Sequence, residues 1–208
     1  MIVNEEEARA FCETLVDAAG MVRLERYVAL LVEENRRQNL VSTASLNQVW
    51  QRHIADSLQM LGHVPRETTP WLDLGTGAGP PGLLIAIARP DIEVGLVESR
   101  KRRAEWLGRV AAALDLPHCQ AIADRLEDVP QFAAAVISAR AFAPLGKLLN
   151  LSARFSTRDT IWLLPKGRSA QKELDEQGAG VQAMFHVEHS LTDAQAGILV
   201  GHGSPPAA

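Results

Sequence analysis

Residues 71–82 read Trp71-Leu72-Asp73-Leu74-Gly75-Thr76-Gly77-Ala78-Gly79-Pro80-Pro81-Gly82, an apolar strand-like run that passes through alternating glycines into an apolar helical stretch. A strand feeding a helix through a glycine-rich turn opens a Rossmann-type βαβ unit, and Gly77, Gly79 and Gly82 satisfy G-x-G-x-x-G. That spacing alone is weak and leaves a pyrophosphate-bearing dinucleotide as one reading. Two features oppose it. Asp73, a carboxylate at the strand's end, repels a pyrophosphate and suits an ammonium group. Pro80 and Pro81, placed in the first helical turn, remove the amide donors on which phosphate binding at a helix N-terminus depends. The loop therefore suits a ligand with a cationic amino acid part and no phosphate.

Downstream, short β-type runs alternate with helical ones. Strands are expected at Trp71–Leu74, Glu93–Val97, Gln120–Ala123, Ala134–Ser138, Thr160–Leu164, Val181–Glu188 and Ile198–Val200, with helical stretches at 81–89, 101–114 and 144–154 and a short turn at 125–128. This order predicts an α/β fold with a mostly parallel Rossmann-like sheet, closed at one edge by an antiparallel C-terminal hairpin. Such a sheet binds ligands at the carboxyl ends of its strands. Glu98 falls at the end of the second strand, where a carboxylate accepts hydrogen bonds from a ribose diol. Asp73, the glycines and Glu98 together fit S-adenosylmethionine.

Upstream, apolar residues recur at helical spacing: Phe11 and Leu15, then Leu24, Tyr27, Val28 and Leu31, then Leu46, Trp50, Ile54, Leu58 and Leu61. Ser45 to Gln48 reads as a capping box opening the third helix. The organisation is thus an N-terminal helical extension (1–67), a methyltransferase-type domain (68–203) and a disordered tail (204–208).

Composition narrows the class. The 208 residues are 47% hydrophobic and 22% charged, which excludes a disordered, collagenous or coiled-coil chain. Cys12 and Cys119 form no Cys-x-x-Cys, Glu5-Glu6-Glu7 follows Met1 too soon for a secretory segment, and no apolar run approaches a bilayer span. A cytoplasmic protein with reduced thiols, without membrane attachment, is expected; the oligomeric state is not given, and a monomer is favoured. The net charge is -4, but residues 1–35 hold eight acidic and three basic side chains, a balance of -5, so the remainder sums to +1. Net acidity excludes indiscriminate coating of nucleic acid, not a local RNA-facing patch.

Absent motifs restrict the acceptor. Attack at C5 of a pyrimidine needs an activated cysteine, and neither cysteine lies in the expected loop. Exocyclic amine methylation relies on an Asn/Asp-Pro-Pro-aromatic loop after the fourth strand, where this chain has Ser138-Ala139-Arg140-Ala141-Phe142-Ala143. Arg140 and Phe142 suit a guanine held by hydrogen bonding and stacking. Guanine N7 carries a free in-plane lone pair at neutral pH, so its methylation needs positioning more than a base; no catalytic acid or base is assigned.

The ordered set Asn39-Leu40, Arg52-His53-Ile54-Ala55-Asp56-Ser57, the glycine loop, Glu98 with Lys101-Arg102, Asp124-Arg125-Leu126-Glu127, Ala139-Arg140-Ala141-Phe142 and Lys166-Gly167 resembles the bacterial small-subunit rRNA guanine-N7 methyltransferases, RsmG (formerly GidB). The resemblance spans nearly the whole chain. It implies a class I methyltransferase fold and methylation of one guanosine in the 530 loop of 16S rRNA, position 527 in the usual rRNA numbering. It also implies 16S rRNA within the small subunit or an assembly intermediate as partner, and low-level streptomycin resistance on loss of activity. The cofactor contacts it implies fall on Gly75, Thr76, Gly77, Gly79, Pro80, the Leu126-Glu127 pair beside the adenine, and Arg140, joining Asp73 and Glu98. Pro80 departs from the Leu or Phe more usual in the family. Another RNA methyltransferase, a non-catalytic rRNA or assembly factor, and a nucleotide-dependent oxidoreductase remain open.

Arg100-Lys101-Arg102-Arg103, with Arg109 beyond, is the strongest basic cluster. Arg52, Lys101, Arg102, Arg103, Lys166 and Arg168 are candidate RNA contacts; as plain structure, a charge run on a helix is a solvated face. His53 and Asp56 are spaced to pair at i, i+3. His186-Val187-Glu188-His189 supplies no converging ligand set, because alternate strand residues face opposite ways; no metal is expected. Trp50, Trp71, Trp106 and Trp162 are expected in the core.

Overall fold

Trp71–Leu74 forms β1, an interior strand of a seven-stranded sheet, in a computed structural model that describes residues 1–206. The other strands are β2 (Val94–Val97), β3 (Cys119–Ile122), β4 (Val136–Ala139), β5 (Ile161–Gly167), β6 (Phe185–His189) and β7 (Gly197–His202), in the order β3-β2-β1-β4-β5-β7-β6. β1 to β5 are parallel, and β7 runs antiparallel between β5 and β6. The mostly parallel sheet with an antiparallel C-terminal hairpin is as the sequence pattern predicts.

The pleat sorts the core into two layers. Trp71, Val94, Leu96, Val136 and Leu163 face α5 (Gly82–Ala88), α6 (Lys101–Ala113) and the N-terminal helices; Leu72, Leu74, Ile137, Trp162 and Leu164 face α7 (Leu145–Ser152) and α8 (Ala170–Asp175). Strands covered on both faces read as unbroken apolar runs, which is why β1 and β5 were legible. A Cβ on Gly82 would come within 2.5 Å of Asp73 Cβ and 2.6 Å of Leu96 Cδ2, so the last glycine of the fingerprint lets α5 settle directly onto β1 and β2.

The N-terminal helices belong to the same core. From α1 (Glu5–Glu13), Ala8 and Cys12 enter it, and from α2 (Ala18–Asn35), Leu24, Tyr27 and Leu31. Arg23 donates to Leu114 O at 3.0 Å and Tyr27 OH to Ala78 O at 2.9 Å, tying α2 to the end of α6 and to the glycine loop.

Several expectations are corrected. The third helix is not continuous from a Ser45–Gln48 box. Ser42 caps α3 (Thr43–Leu46), a π-turn spans Trp50–Ala55, and α4 (Asp56–Leu58) and a 3-10 turn (Gln59–His63) follow. The break has a physical cause: Trp50 N and Gln51 N, which an α-helix would return to its preceding turn, donate to the Glu5 carboxylate at 3.0 and 2.8 Å. Pro80 and Pro81 precede α5, with Pro81 at its N-cap, and are not in its first turn. The run from Val181 is not strand throughout. Residues Ala179–Gln182 form helix α9, with Gln182 Nε2 bonded to Asp175 O and Gln177 O, and the strand begins at Phe185. Trp50 is only half-buried, lying under the Arg9 guanidinium at 4.9 Å. In the tail, Ser204 to Pro206 have no regular structure, Ser156 Oγ donates to Ser204 Oγ at 3.1 Å, and Ala207 and Ala208 lie outside the described residues. No helix of the described residues is long and apolar enough to cross a membrane.

Candidate functional site

The loop after β1 is tied to β2: Gly75 N and Thr76 N both donate to Val97 O, at 2.8 and 3.1 Å. Gly75 and Gly77 hold φ +66° and +60°, the left-handed region that costs an L-residue about 1–2 kcal/mol. They differ in what lies above them. A Cβ on Gly75 would strike Phe142 Cδ2 at 2.7 Å, whereas a Cβ on Gly77 meets nothing closer than Gly75 O at 3.7 Å and Arg103 Nη1 at 3.9 Å. Gly77 is half-buried, with open space where a side chain would stand.

A cavity of about 360 Å³ is lined by Gly75, Glu98, Arg103, Asp124, Leu126, Glu127 and Phe142 among others. Glu98 Oε2 accepts from Gly77 N at 3.0 Å and Oε1 from Arg100 N at 2.8 Å, fixing the carboxylate while leaving each oxygen a further lone pair. Leu126 is a buried apolar surface at its wall and Glu127 an exposed rim residue.

Of the residues singled out in the sequence, Asp73, Thr76, Gly77, Gly79 and Pro80 do not line this cavity; they build the loop beside it. Gly79 packs under Leu83 and Tyr27, Pro80 is buried, and Thr76 Oγ1 donates to Asp73 O at 3.3 Å. Asp73 is wholly buried. Its Oδ1 accepts from Ser138 Oγ at 2.6 Å, and that oxygen accepts in turn from Trp71 Nε1 at 2.8 Å, while Oδ2 has no side-chain partner. Burial raises the Asp73 pKa to about 7 against the opposing Ser138 bond.

Arg140 also lies elsewhere. It follows β4 and lines, with Phe142, Pro144, Pro165, Lys166, Ser169 and Glu173, a second cavity of about 430 Å³. Phe142 faces both cavities and forms the partition between them. The partition depends on Ala141, a non-glycine residue at φ +55°. Arg140 is anchored to the π-turn, donating from Nη1 to Arg52 O at 3.1 Å and from Nη2 to His53 Nδ1 at 3.0 Å, with Asp56 Oδ2 at 3.6 Å from Nη1. His53 and Asp56 therefore do not pair with each other as their spacing suggested; Arg140 stands between them. Burial, reinforced by Arg140 and Arg52, pushes the His53 pKa down to about 3, so the ring is neutral. Its Nε2 is buried without a protein partner, an arrangement costing roughly 1–3 kcal/mol.

The basic candidates separate. Arg52, Lys101, Arg102 and Arg168 are exposed. Arg103 is half-buried, donates to Asn39 O at 3.2 Å and lines the first cavity. Arg109 lies 3.5 Å from Glu34. Lys166 is a correction: its side chain is 8% exposed and its Nζ lies 2.9 Å from Glu173 Oε2 and 2.7 Å from Ala143 O, so its charge is spent inside the protein. Burial acts to raise the Glu173 pKa, but hydrogen bonds from Lys166, Ser169 and the Leu145 N–H outweigh it and leave the group ionised. Burial pushes both the Cys12 and Cys119 thiols up to about 12, the opposite of an activated nucleophile. His186 Nε2 and Glu188 Oε1 meet at 3.1 Å on the sheet's edge, and no group of three metal-ligating side chains occurs among the described residues.

Glu173, Glu5 and Lys147 at the first cavity's rim were missed. Glu173 sits four residues after Ser169 and seven after Lys166 and was recoverable from that spacing; Glu5 had no local signal.

The sequence profile described as rRNA small subunit methyltransferase G matches residues 21–198. A ribosomal RNA small subunit methyltransferase G from Erythrobacter litoralis is 59% identical over 203 residues, covering 98% of each chain. Among solved structures, a methyltransferase from Geobacter sulfurreducens superposes with a TM-score of 0.62 at 12% identity, over 85% of this chain and 90% of that one. A TehB-like S-adenosylmethionine-dependent methyltransferase from Corynebacterium glutamicum gives 0.55 at 14% identity, over 85% and 98%. At these identities the two structures are alike in fold.

Proposed function

The chain belongs to the rRNA small subunit methyltransferase G family, and from that premise we propose that it transfers a methyl group from S-adenosylmethionine to N7 of one guanosine in the 530 loop of 16S rRNA. The observation that carries the reading is the partition: one cavity suited to the cofactor and one suited to a base share a wall at Phe142.

The residues of the first cavity fit the cofactor. Glu98, held by Gly77 N, keeps lone pairs for a ribose diol, and Leu126 offers an apolar surface to an adenine. When bound, S-adenosylmethionine supplies an electrophilic methyl group on a sulfonium. On the other side, Phe142, Pro144 and Pro165 give an extruded guanine faces to stack on, as unpaired RNA bases require. A guanidinium gripping O6 and N7 together would occupy the reacting lone pair. Arg140 already gives two of its five donors to Arg52 O and His53 Nδ1. A methyl group delivered from the sulfonium would bond to the N7 lone pair, leaving a neutral thioether and a cationic purine. No proton moves in that step, consistent with neutral His53 and internally paired Lys166 and Glu173 serving no general-base role.

Exposed Arg52, Lys101, Arg102 and Arg168 would meet the RNA phosphates, with the small subunit or its assembly intermediate as the substrate, in the cytoplasm, and the enzyme acting as a monomer. The test is incubation with methyl-labelled S-adenosylmethionine and either naked 16S rRNA or small subunits, followed by mapping of the product nucleoside. N7-methylguanosine in the 530 loop is expected. Label on a pyrimidine or an exocyclic amine, or on neither substrate, would sink the proposal.

A further inference from the structure

We propose that His53 is a positioning residue for methyl transfer, using the lone pair of Nδ1 to hold the Arg140 guanidinium, and with it the Ala141–Phe142 turn, in the arrangement that brings the two cavities together. This rests on the reading of the preceding subsection. His53 lines neither of these two cavities but a third, of about 260 Å³, with Arg52, Asp56 and Arg140, and it meets the second cavity through Arg140.

The turn needs holding. Ala141 sits in a backbone region that alanine does not favour, and relaxation there would swing Phe142 off the face of Gly75 and dissolve the partition. Two restraints oppose this: Phe142 packs against Gly75, and Arg140 is tethered to the π-turn Trp50–Ala55. In that tether the ring has a single task. A guanidinium only donates, so His53 Nδ1 accepts and the ring proton sits on Nε2, which touches no polar protein atom. A charged imidazolium would set N–H against N–H and cation against cation.

The π-turn is itself clamped where it must aim. Glu5 holds the amides of Trp50 and Gln51, and Asp56 Oδ1 accepts from Thr192 Oγ1 at 2.8 Å and Gln59 Nε2 at 3.0 Å. Interrupted helical registers of this kind recur at functional sites.

The experiment measures kcat and KM for the rRNA substrate, cofactor affinity by calorimetry and the unfolding midpoint, for His53→Leu, His53→Asn and Arg140→Ala, singly and with His53→Leu and Arg140→Ala combined. Expected is a kcat at least tenfold lower in His53→Leu with cofactor affinity within twofold of wild type. Asparagine places its amide oxygen near the Nδ1 position and recovers most of the loss. Once Arg140 is alanine, His53→Leu costs less than a further twofold. If the leucine variant does not fold, His53→Asn against His53→Gln decides the matter, since glutamine carries its oxygen toward the Nε2 side and is expected to stay impaired. The proposal is overturned if His53→Leu keeps kcat within twofold, if Leu and Asn variants fail alike together with cofactor affinity, or if the losses multiply in the double variant. Wild-type protein that forms no N7-methylguanosine overturns the proposed function, and the role of His53 with it.

Discussion

A methyl group added at Gly77 and one added at Gly82 break different things. At Gly77 a Cβ has room, with 3.7 Å to its nearest neighbour, so the fold bears only the left-handed backbone cost of about 1–2 kcal/mol, offset by roughly 0.4–1 kcal/mol from a less flexible unfolded chain. The net, about 1 kcal/mol, lowers the midpoint of a chain this size by roughly 2–4 °C. The same methyl enters the space a ligand needs. Overpacking costs about 1–3 kcal/mol, so cofactor affinity falls roughly 5- to 150-fold for Gly77→Ala and beyond that for Gly77→Val, whose branched Cβ fits the left-handed region worse. At Gly82 the order reverses. The added Cβ lies 2.5 Å from Asp73 Cβ, which is fixed to the backbone of β1, so Gly82→Ala loses roughly 1–3 kcal/mol of stability while surviving folded protein binds cofactor nearly normally. Calorimetric titration with S-adenosylmethionine beside a thermal scan reads both. Wild-type affinity in Gly77→Val, or lost affinity with an unshifted midpoint in Gly82→Ala, refutes the reasoning.

Three further outcomes are expected. Because the folded-state pKa of Asp73 is raised from 3.8 to about 7, its contribution to stability is greatest below pH 4 and is lost as pH rises through 7, by at most about 4 kcal/mol; denaturant titrations of Asp73→Asn over that window should show the slope flattened, and an unchanged slope counts against the assignment. Lys166→Met strands the Glu173 carboxylate and costs roughly 2–4 kcal/mol, less than a fully buried pair because the Glu173 side chain keeps 20% exposure, with the salt dependence of RNA binding unmoved. Lys101→Ala with Arg102→Ala does the converse: the midpoint holds, while the slope of log affinity against log salt falls by about 1 for each phosphate no longer neutralised.

What was legible in the sequence was local. Trp71 to Gly82 carries its own periodicity and turn chemistry, and Glu98 follows at the end of β2, so the fold and one wall of the first cavity emerge from short stretches. What was not legible depends on partners far along the chain. The third helix breaks because a carboxylate from Glu5 takes two of its amides, which no window around Trp50 contains. Lys166 resembles an RNA contact until Glu173 folds beneath it, and Asp73 resembles a ligand group until the pleat turns it toward Ser138 and Gly82. The apolar run from Val181 fits helix or strand equally; Gln182, bonded back to Asp175 and Gln177, decides it.

The junction between the N-terminus and the C-terminal hairpin bears on the order of folding. Ile2 N donates to Leu191 O at 2.7 Å, and Gln51 Nε2 bridges Ile2 O and Thr192 O at 3.0 and 3.1 Å. Ile2 and Leu191 are far apart in sequence, and joining them closes a long loop, about 2–3 kcal/mol more costly in entropy than a ten-residue loop. The cofactor loop and central strands can form from nearby segments. The π-turn that steadies Arg140 draws on both Glu5 and Thr192, so the second cavity is expected to order after the first.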